Sequence, residues 1–286
     1  MKKSLFRTII FYTVLLCSLF AVLLIAFFFF SSYKNHQIEI QNIQEEHIKT
    51  TRETLQWQVE HYVQMIDATK NKYENLQKQK LKERVQAQVL SMQAFFDRYK
   101  DTKTTQEIQE MILASMRNIR FEDGGYYFIT RLDGIEVLFD PKKELEGTDM
   151  LALRNSSGVY VVKETIELVK KQNEGFYQYA WSKPNSGKNA VQKLSFVKLF
   201  EPFGWIVGTG KYMDDIEEEI KKEILENVHM MRFDQKNNNF IFIGQYNGTS
   251  LTYPALGTNM LHMQDKNGFY IVQELIKTAK NGGGFV

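Results

Sequence analysis

One stretch of this chain occurs twice. YYFITRLDGIEVLF from Tyr126 is matched by FIFIGQYNGTSLTY from Phe240. GTDMLALRNSSGVYVVKETIELVKK from Gly147 aligns with GTNMLHMQDKNGFYIVQELIKTAKN from Gly257, ten of the 25 positions being identical. Both copies then reach a Gly-Phe pair, Gly175-Phe176 and Gly284-Phe285. A repeat of this size is one supersecondary unit used twice, so the fold must be one whose module can be copied along a chain. The first copy runs on for roughly 35 residues past its Gly-Phe, and the second ends one residue after it. Either the module is halved by design or the chain is a piece of something longer. Half a sheet exposes an unpaired edge, which natural proteins avoid, so the expectation is a fragment boundary and a poorly closed second module.

Glycine and proline are distributed unevenly. None falls in residues 1–123, and all 17 Gly and 4 Pro come later. Because these residues punctuate turns, the first part reads as continuous helix and the rest as turn-rich. Thr8–Tyr33 is a run of 26 residues without a charge, against the roughly 20 that cross a bilayer. Lys2, Lys3 and Arg7 precede it, which by the positive-inside rule places the N-terminus in the cytoplasm and the rest outside. A cleaved signal peptide is the rival reading, but its apolar region is usually ~7–15 residues and ends in a small-residue site. Here the run ends in four Phe. The one cysteine, Cys17, lies inside the span, so the outer part relies on packing rather than disulfides. A formal net charge of +2 gives no nucleic-acid footprint.

From Asn35 to about Lys100 apolar residues recur at helical spacing, among them Leu55, Val59, Tyr62, Val85, Val89 and Met92. One unbroken helix here would reach ~100 Å at 1.5 Å per residue. So narrow a stripe must bury against a partner: the following domain, the same helix of a second subunit, or both. The expectation includes a homodimer through this helix. Asp101–Thr104 reads as a break and N-cap before a short helix over Gln106–Met116. The period then changes. Tyr126–Ile129, Ile135–Phe139, Gly175–Trp181, Lys193–Leu199 and Trp205–Thr209 read as strands, interrupted by a helix over Val159–Lys171. That order predicts an α+β domain, an antiparallel sheet with helices on one face or end. Asp214-Asp215 then cap a charged linker helix, Ile216–Glu226.

Arg120-Phe121, GGYYFI from Gly124, FDP from Phe139, EGTDM from Glu146, EGFYQYAWSKP from Glu174 and KLSFVKLFEPFGWIVGTGKYMDDIE from Lys193 together resemble the second type of Cache sensor domain. This family forms the extracytoplasmic half of bacterial chemoreceptors, sensor histidine kinases and cyclic-dinucleotide enzymes. The resemblance covers about residues 33–220, and the second copy, from Arg232-Phe233 to Val286, is similar to the same module's first half. It implies a PAS-like fold: a long N-terminal helix and a curved antiparallel sheet whose concave face encloses a small ligand. Known members bind two- or three-carbon carboxylates, and others bind amino acids or amines. Carried over by position, the pocket would draw on Arg120, Tyr126, Phe128, the 139–141 turn with Asp140, Tyr179, Trp181, Lys193 and Trp205. The chain departs from the family where Asp140 stands for the usual His before Pro, and where Asn155 stands for the usual Asp. The second copy keeps Asp265 but has Tyr253 before Pro254.

A carboxylate pocket needs a fixed cation, and an Arg fork matches a carboxylate in geometry. Arg120 recurs as Arg232 just ahead of the first strand of each copy. The plain alternative is that it pairs with a structural acid. Lys193, on an alternating strand, faces either pocket or solvent. Asp140 offers an anchor for an ammonium group, which would move the ligand towards amines or amino acids. The aromatic residues read as cavity lining or as sheet core. Gly208-Thr209-Gly210 and Gly282-Gly283-Gly284 lack phosphate-loop spacing. The five His have no metal-ligand spacing, and no nucleophile–base pair or nucleophile elbow occurs. Neither an enzyme nor a metal or cofactor is therefore expected within this chain.

These readings divide the chain into residues 1–33 (cytoplasmic stub and transmembrane helix), 34–116 (stalk helix and short second helix), 117–213 (first Cache module), 214–228 (charged linker) and 229–286 (truncated second module). The expected function is the periplasmic ligand-sensing region of a single-pass inner-membrane receptor. It would bind a short carboxylate, amine or amino acid and signal to an absent output domain, a histidine kinase, chemotaxis or cyclase module. The alternative is a membrane-anchored helical dimerisation protein with no small-molecule ligand.

Overall fold

The computed structural model describes residues 2–121, 124–184, 190–230, 240–252 and 254–286. Arg232, Phe233 and Tyr253, singled out above, lie outside them. The helix α1 runs over Lys2–Tyr99. Residues up to Val63, with Glu274–Val286, form one compact unit, and Gln64–Gln273 form the other. In the first unit the apolar side chains from Ile10 to Tyr33 are exposed. Among the described residues this is the one helix long and apolar enough to cross a membrane.

In the second unit α1 ends in a turn, and α2 (Thr105–Arg117) starts from Thr104. The Thr104 hydroxyl accepts from the Glu107 N–H, and the Glu107 carboxylate accepts from the Thr104 N–H. This capping box satisfies two otherwise orphaned donors and sets the break where the sequence placed it. Five strands follow: β1 (Tyr127–Arg131), β2 (Glu136–Phe139), β3 (Glu174–Ser182), β4 (Ala190–Phe200) and β5 (Trp205–Tyr212). All pairs are antiparallel and the order is β2-β1-β5-β4-β3. The helix α3 (Val161–Gln172) intervenes between β2 and β3.

The helices cover both faces of the sheet, where the strand pattern suggests one face or end. Leu81, Val85 and Met92 of α1, with Ile108 and Met116 of α2, pack on Ile129, Phe196 and Trp205. On the opposite face Val162, Ile166 and Val169 of α3 pack on Val197 and Ile206. A sheet covered on both sides buries both side-chain sets of its central strands, and every residue of β5 is buried. The linker helix also differs from expectation. The strand β5 passes directly into α4 (Met213–Met230), so Asp214 and Asp215 sit in its first turn rather than capping it. There they bind Lys183, at 2.8 and 2.7 Å.

The second copy repeats the first copy's turns bond for bond. The Met150 N–H donates to the Gly134 carbonyl at 2.9 Å, and Met260 to Gly248 at 2.8 Å. The Glu136 and Gly147 bonds to Thr148 and Glu136 recur as Ser250 to Thr258 and Gly257 to Ser250. Asn155 Oδ1 accepts two backbone N–H groups, and so does Asp265 Oδ1. An acceptor-only carboxylate serves this turn as well as an amide oxygen does. The final helix, α5 (Ile271–Lys280), takes the place of α3 in the repeat.

Candidate functional site

Alternation along the strands decides which side chains meet between the sheet and α3. On β4 the residues facing α3 are Lys193, Ser195 and Val197, on β1 Phe128 and Thr130, and on β3 Tyr179 and Trp181. On β2 both Phe139 and Glu136 face it, because an irregularity in the β1–β2 register breaks the alternation between them. With Met150, Val161, Val162 and Thr165 closing over them, several of these side chains line a cavity of about 40 Å³. One ordered water needs roughly 10–15 Å³ on the same measure, so a molecule of only a few heavy atoms fits.

Lys193 dominates the cavity. It is 1% exposed, and its ammonium donates to Tyr126 Oη at 2.9 Å. The rings of Tyr126, Tyr212 and Phe128 stand 4.3, 5.3 and 5.5 Å from Nζ, where their negative faces partly replace lost hydration. Burial nevertheless lowers the Lys193 pKa to about 7, and Glu136 partly opposes that shift. Glu136, at 5% exposed, is pushed up to about 8 by burial. Its Oε2 accepts from Thr130 Oγ1 at 2.9 Å. Its Oε1 is buried without a hydrogen-bond partner among the described residues. Tyr179 Oη shares a hydrogen bond with Ser195 Oγ at 3.1 Å. Burial raises the hydroxyl pKa values of Tyr126 and Tyr179 as well.

The two glycines of β5 make this arrangement possible. A β-carbon on Gly210 would lie 2.3 Å from Ser195 Oγ and 2.8 Å from Lys193 Cε. Side chains from the neighbouring strands thus cross β5 where it has none of its own.

Of the residues expected from sequence, Phe128, Tyr179, Trp181 and Lys193 line the cavity, and Tyr126 reaches it through Lys193. Arg120 and Asp140 pair with each other instead. Arg120 also donates to the backbone carbonyls of Arg117 and Ile119, and Asp140 also holds Lys143 at 3.4 Å. Trp205 lies across the sheet, 2% exposed, with its ring 4.9 Å from that of Phe203 in the α1–α2 core. Its neighbour Ile206 takes the cavity side. Sequence reasoning passed over Glu136 and Thr130. Alternation counted back from Phe139 would put Glu136 on the opposite face, and only the irregular register opposite Ile129 and Thr130 brings it to the cavity side. Among the described residues no cluster of His, Cys, Asp and Glu has metal-site geometry.

Residues 32–286 match the dCache_2 family model, a Cache domain. Over 123 residues, 43% of this chain and 22% of the relative, the chain is 30% identical to the methyl-accepting chemotaxis protein McpP of Pseudomonas putida. Over 108 residues, 38% of this chain and 23% of the relative, it is 32% identical to the sensor histidine kinase MctS of Rhizobium johnstonii. The matched stretches thus span less than a quarter of either relative's length. Among solved structures, a methyl-accepting chemotaxis protein from Vibrio parahaemolyticus is 25% identical, with a TM-score of 0.46 over 53% of this chain and 99% of that one. A Cache chemosensory domain studied for carboxylic acid recognition is 29% identical, with a TM-score of 0.44 over 49% of this chain and 98% of that one. With the family match running from residue 32 to the last residue, the chain belongs to the Cache family of sensor domains, which serve chemotaxis receptors and sensor histidine kinases.

Proposed function

We propose that this chain is the extracytoplasmic ligand-sensing region of a bacterial transmembrane signalling receptor, and that its first module binds a small carboxylate-bearing molecule. The observation that carries this reading is Lys193, a fully buried ammonium on the wall of a small cavity between the sheet and α3. A buried cation is costly unless something compensates it, and Tyr126 supplies one neutral acceptor. A bound carboxylate would supply the missing charge. The apolar run Thr8–Tyr33 would be the membrane anchor, with Lys2, Lys3 and Arg7 on the cytoplasmic side. The repeated turns from Gly244 onward would belong to a second Cache module.

Ligand binding shifts a receptor only through different affinity for two arrangements. The strands β4 and β5 carry cavity residues on one face and α1 contacts on the other. Filling the cavity would therefore bias how α1 packs, and helix shifts of ~1–2 Å are of the size such switches use. The exposed Leu55, Val59 and Val63 of α1 favour a homodimer through this helix.

Thermal-shift titration of the full chain in detergent against two- and three-carbon carboxylates tests the reading. Stabilisation by one compound, lost in Lys193→Met, is expected. No shift across the panel, with an intact dimer, would instead favour a helical interaction protein.

A further inference from the structure

We infer that Tyr212 couples the cavity to the first turn of α4, so that a change at Lys193 alters how that helix is held. The coupling is separate from the route through α1, and it rests on the sensor reading only in taking the cavity's occupant as the signal.

Register places Tyr212 where cavity and helix meet. It is the last residue of β5, and Met213 opens α4 with no residue between them. It stands directly opposite Lys193 of β4, and side chains of such cross-strand partners share one face of the sheet. Its ring is 5.3 Å from Lys193 Nζ and also 5.3 Å from Lys183 Nζ. One ring thus serves a cation on the cavity wall and a second cation beyond the cavity lining. Lys183 in turn grips the start of α4, 2.8 Å from Asp214 and 2.7 Å from Asp215. Because no loop intervenes between β5 and α4, a displacement of Tyr212 is passed straight to the helix.

The hydroxyl groups make a second connection. Lys193 donates to Tyr126 Oη at 2.9 Å, and Tyr126 and Tyr212 interact through their hydroxyls. Tyr212 Oη donates to the Ser182 carbonyl at 2.8 Å. A tyrosine hydroxyl has one proton. That of Tyr212 is engaged by Ser182, so towards Tyr126 it can only accept. The donors therefore all point one way, from the cavity to the end of β3, and hydrogen bonds in such a chain strengthen one another. Ser182 is the residue before Lys183. Drawing Lys193 away from Tyr126 weakens the chain at its source, loosens the hold on Ser182 and with it the position of Lys183. The helix α4 then has two arrangements, its first turn clamped by Lys183 or released, and an occupant of the cavity need only favour one of them. Since α4 precedes the second copy in the chain, the clamp is a route from the cavity towards that copy.

Hydrogen exchange on the full chain in detergent tests the coupling, read at the amides of residues 217–222, whose hydrogen bonds close the first turns of α4. Lys193→Met should speed exchange there at least about threefold while the melting temperature holds, because exchange reports local opening apart from global stability. Tyr212→Phe keeps the ring, removes the hydroxyl and should have the same local effect. The double variant should exchange no faster than either single one, the mark of residues that act through one connection. Lys183→Gln, which opens the clamp itself, should give the same acceleration. Additive effects of Lys193→Met and Tyr212→Phe would overturn the inference, as would an α4 start that Lys193→Met leaves unmoved. Should Tyr212→Phe fail to fold, Lys193→Met and Lys183→Gln decide between them: acceleration of the same α4 amides in both supports the coupling, and acceleration in Lys183→Gln alone overturns it. No ligand enters this experiment, so a failed coupling and a failed carboxylate titration are separate results.

Discussion

The ring of Phe128 occupies the place where a side chain on Gly208 would begin: a β-carbon there would lie 2.3 Å from Phe128 Cζ. The two residues are direct partners across β1 and β5. Gly208→Ala should therefore push the ring into the cavity, at a cost of about 1–3 kcal/mol for overpacking. Urea denaturation measures the cost, and loss of ligand-induced stabilisation in the same variant measures the lost space.

The two buried ionisable groups pull stability in opposite directions with pH. Glu136 titrates near 8 when folded, against its ordinary 4.5. Between those values the folded state keeps a proton that the unfolded chain has released, so its contribution is full below about 4.5 and is lost as pH rises through about 8. Lys193 titrates near 7 when folded, against 10.5, so its contribution is present above about 10.5 and lost as pH falls through about 7. Ligand-free protein should pass through a shallow stability minimum near pH 7–8, with slopes of up to about 1.4 kcal/mol per pH unit. Denaturation at about pH 5.5, 7.5 and 9.5 should show that minimum, and the double variant Glu136→Gln/Lys193→Met should lack it.

Lys193→Met removes a buried ammonium and keeps most of its volume. Its melting temperature should hold or rise, because the desolvation of a charge is no longer incurred. Affinity for any carboxylate ligand should fall at least about tenfold, since a charge-assisted hydrogen bond is lost. A Met variant that still binds would point to another cation as the anchor.

Arg120→Ala and Asp140→Ala should behave differently. The Arg120 side chain is 44% exposed and that of Asp140 15%, and a pair with one partner open to solvent is worth about 1 kcal/mol. Both variants should fold, and their ligand affinities should stay within about twofold of the unaltered chain, a difference below about 0.5 kcal/mol.

Lys211 carries the sheet's connection to the linker. It is 6% exposed on β5 and binds Glu219 of α4 at 2.7 and 2.8 Å. Glu219 also accepts from Tyr73 Oη of α1 at 3.2 Å. Glu219→Ala strands a buried ammonium and should cost about 1–3 kcal/mol. Hydrogen exchange should rise first in α4, ahead of the sheet.

Much of the fold was legible in the sequence because period and punctuation agree. Runs with strand periodicity, bounded by Gly and Pro, mark all five strands, and Thr104 with Glu107 marks the start of α2. What periodicity lacks is the identity of the covering layer. Helices on one face and helices on both leave the same alternation on short strands, and only full burial of β5 separates them. The site was legible to the same degree. Lys193 stood on an alternating strand whose two faces the sequence does not distinguish. Trp205 and Ile206 exchange roles on a one-residue difference in register. Glu136 drew no notice in the sequence, where it is one acid within the strand Ile135–Phe139. It is buried because Met150 and α3 close over it, and those contacts are distant in sequence.

The strands β1 and β5 are neighbours at the middle of the sheet, although the rest of the module separates them along the chain. The polypeptide thus leaves the module beside the place where it entered. A unit with adjoining entrance and exit can be duplicated or spliced into another chain without rethreading anything around it, so gene duplication meets little topological resistance here. The same adjacency makes the module a natural cassette for engineering. The strand ends adjoin at about one strand spacing, ~4.8 Å, but an excised sensor must also keep α2 and the stretch of α1 around Leu81, Val85 and Met92 that covers one face of its sheet.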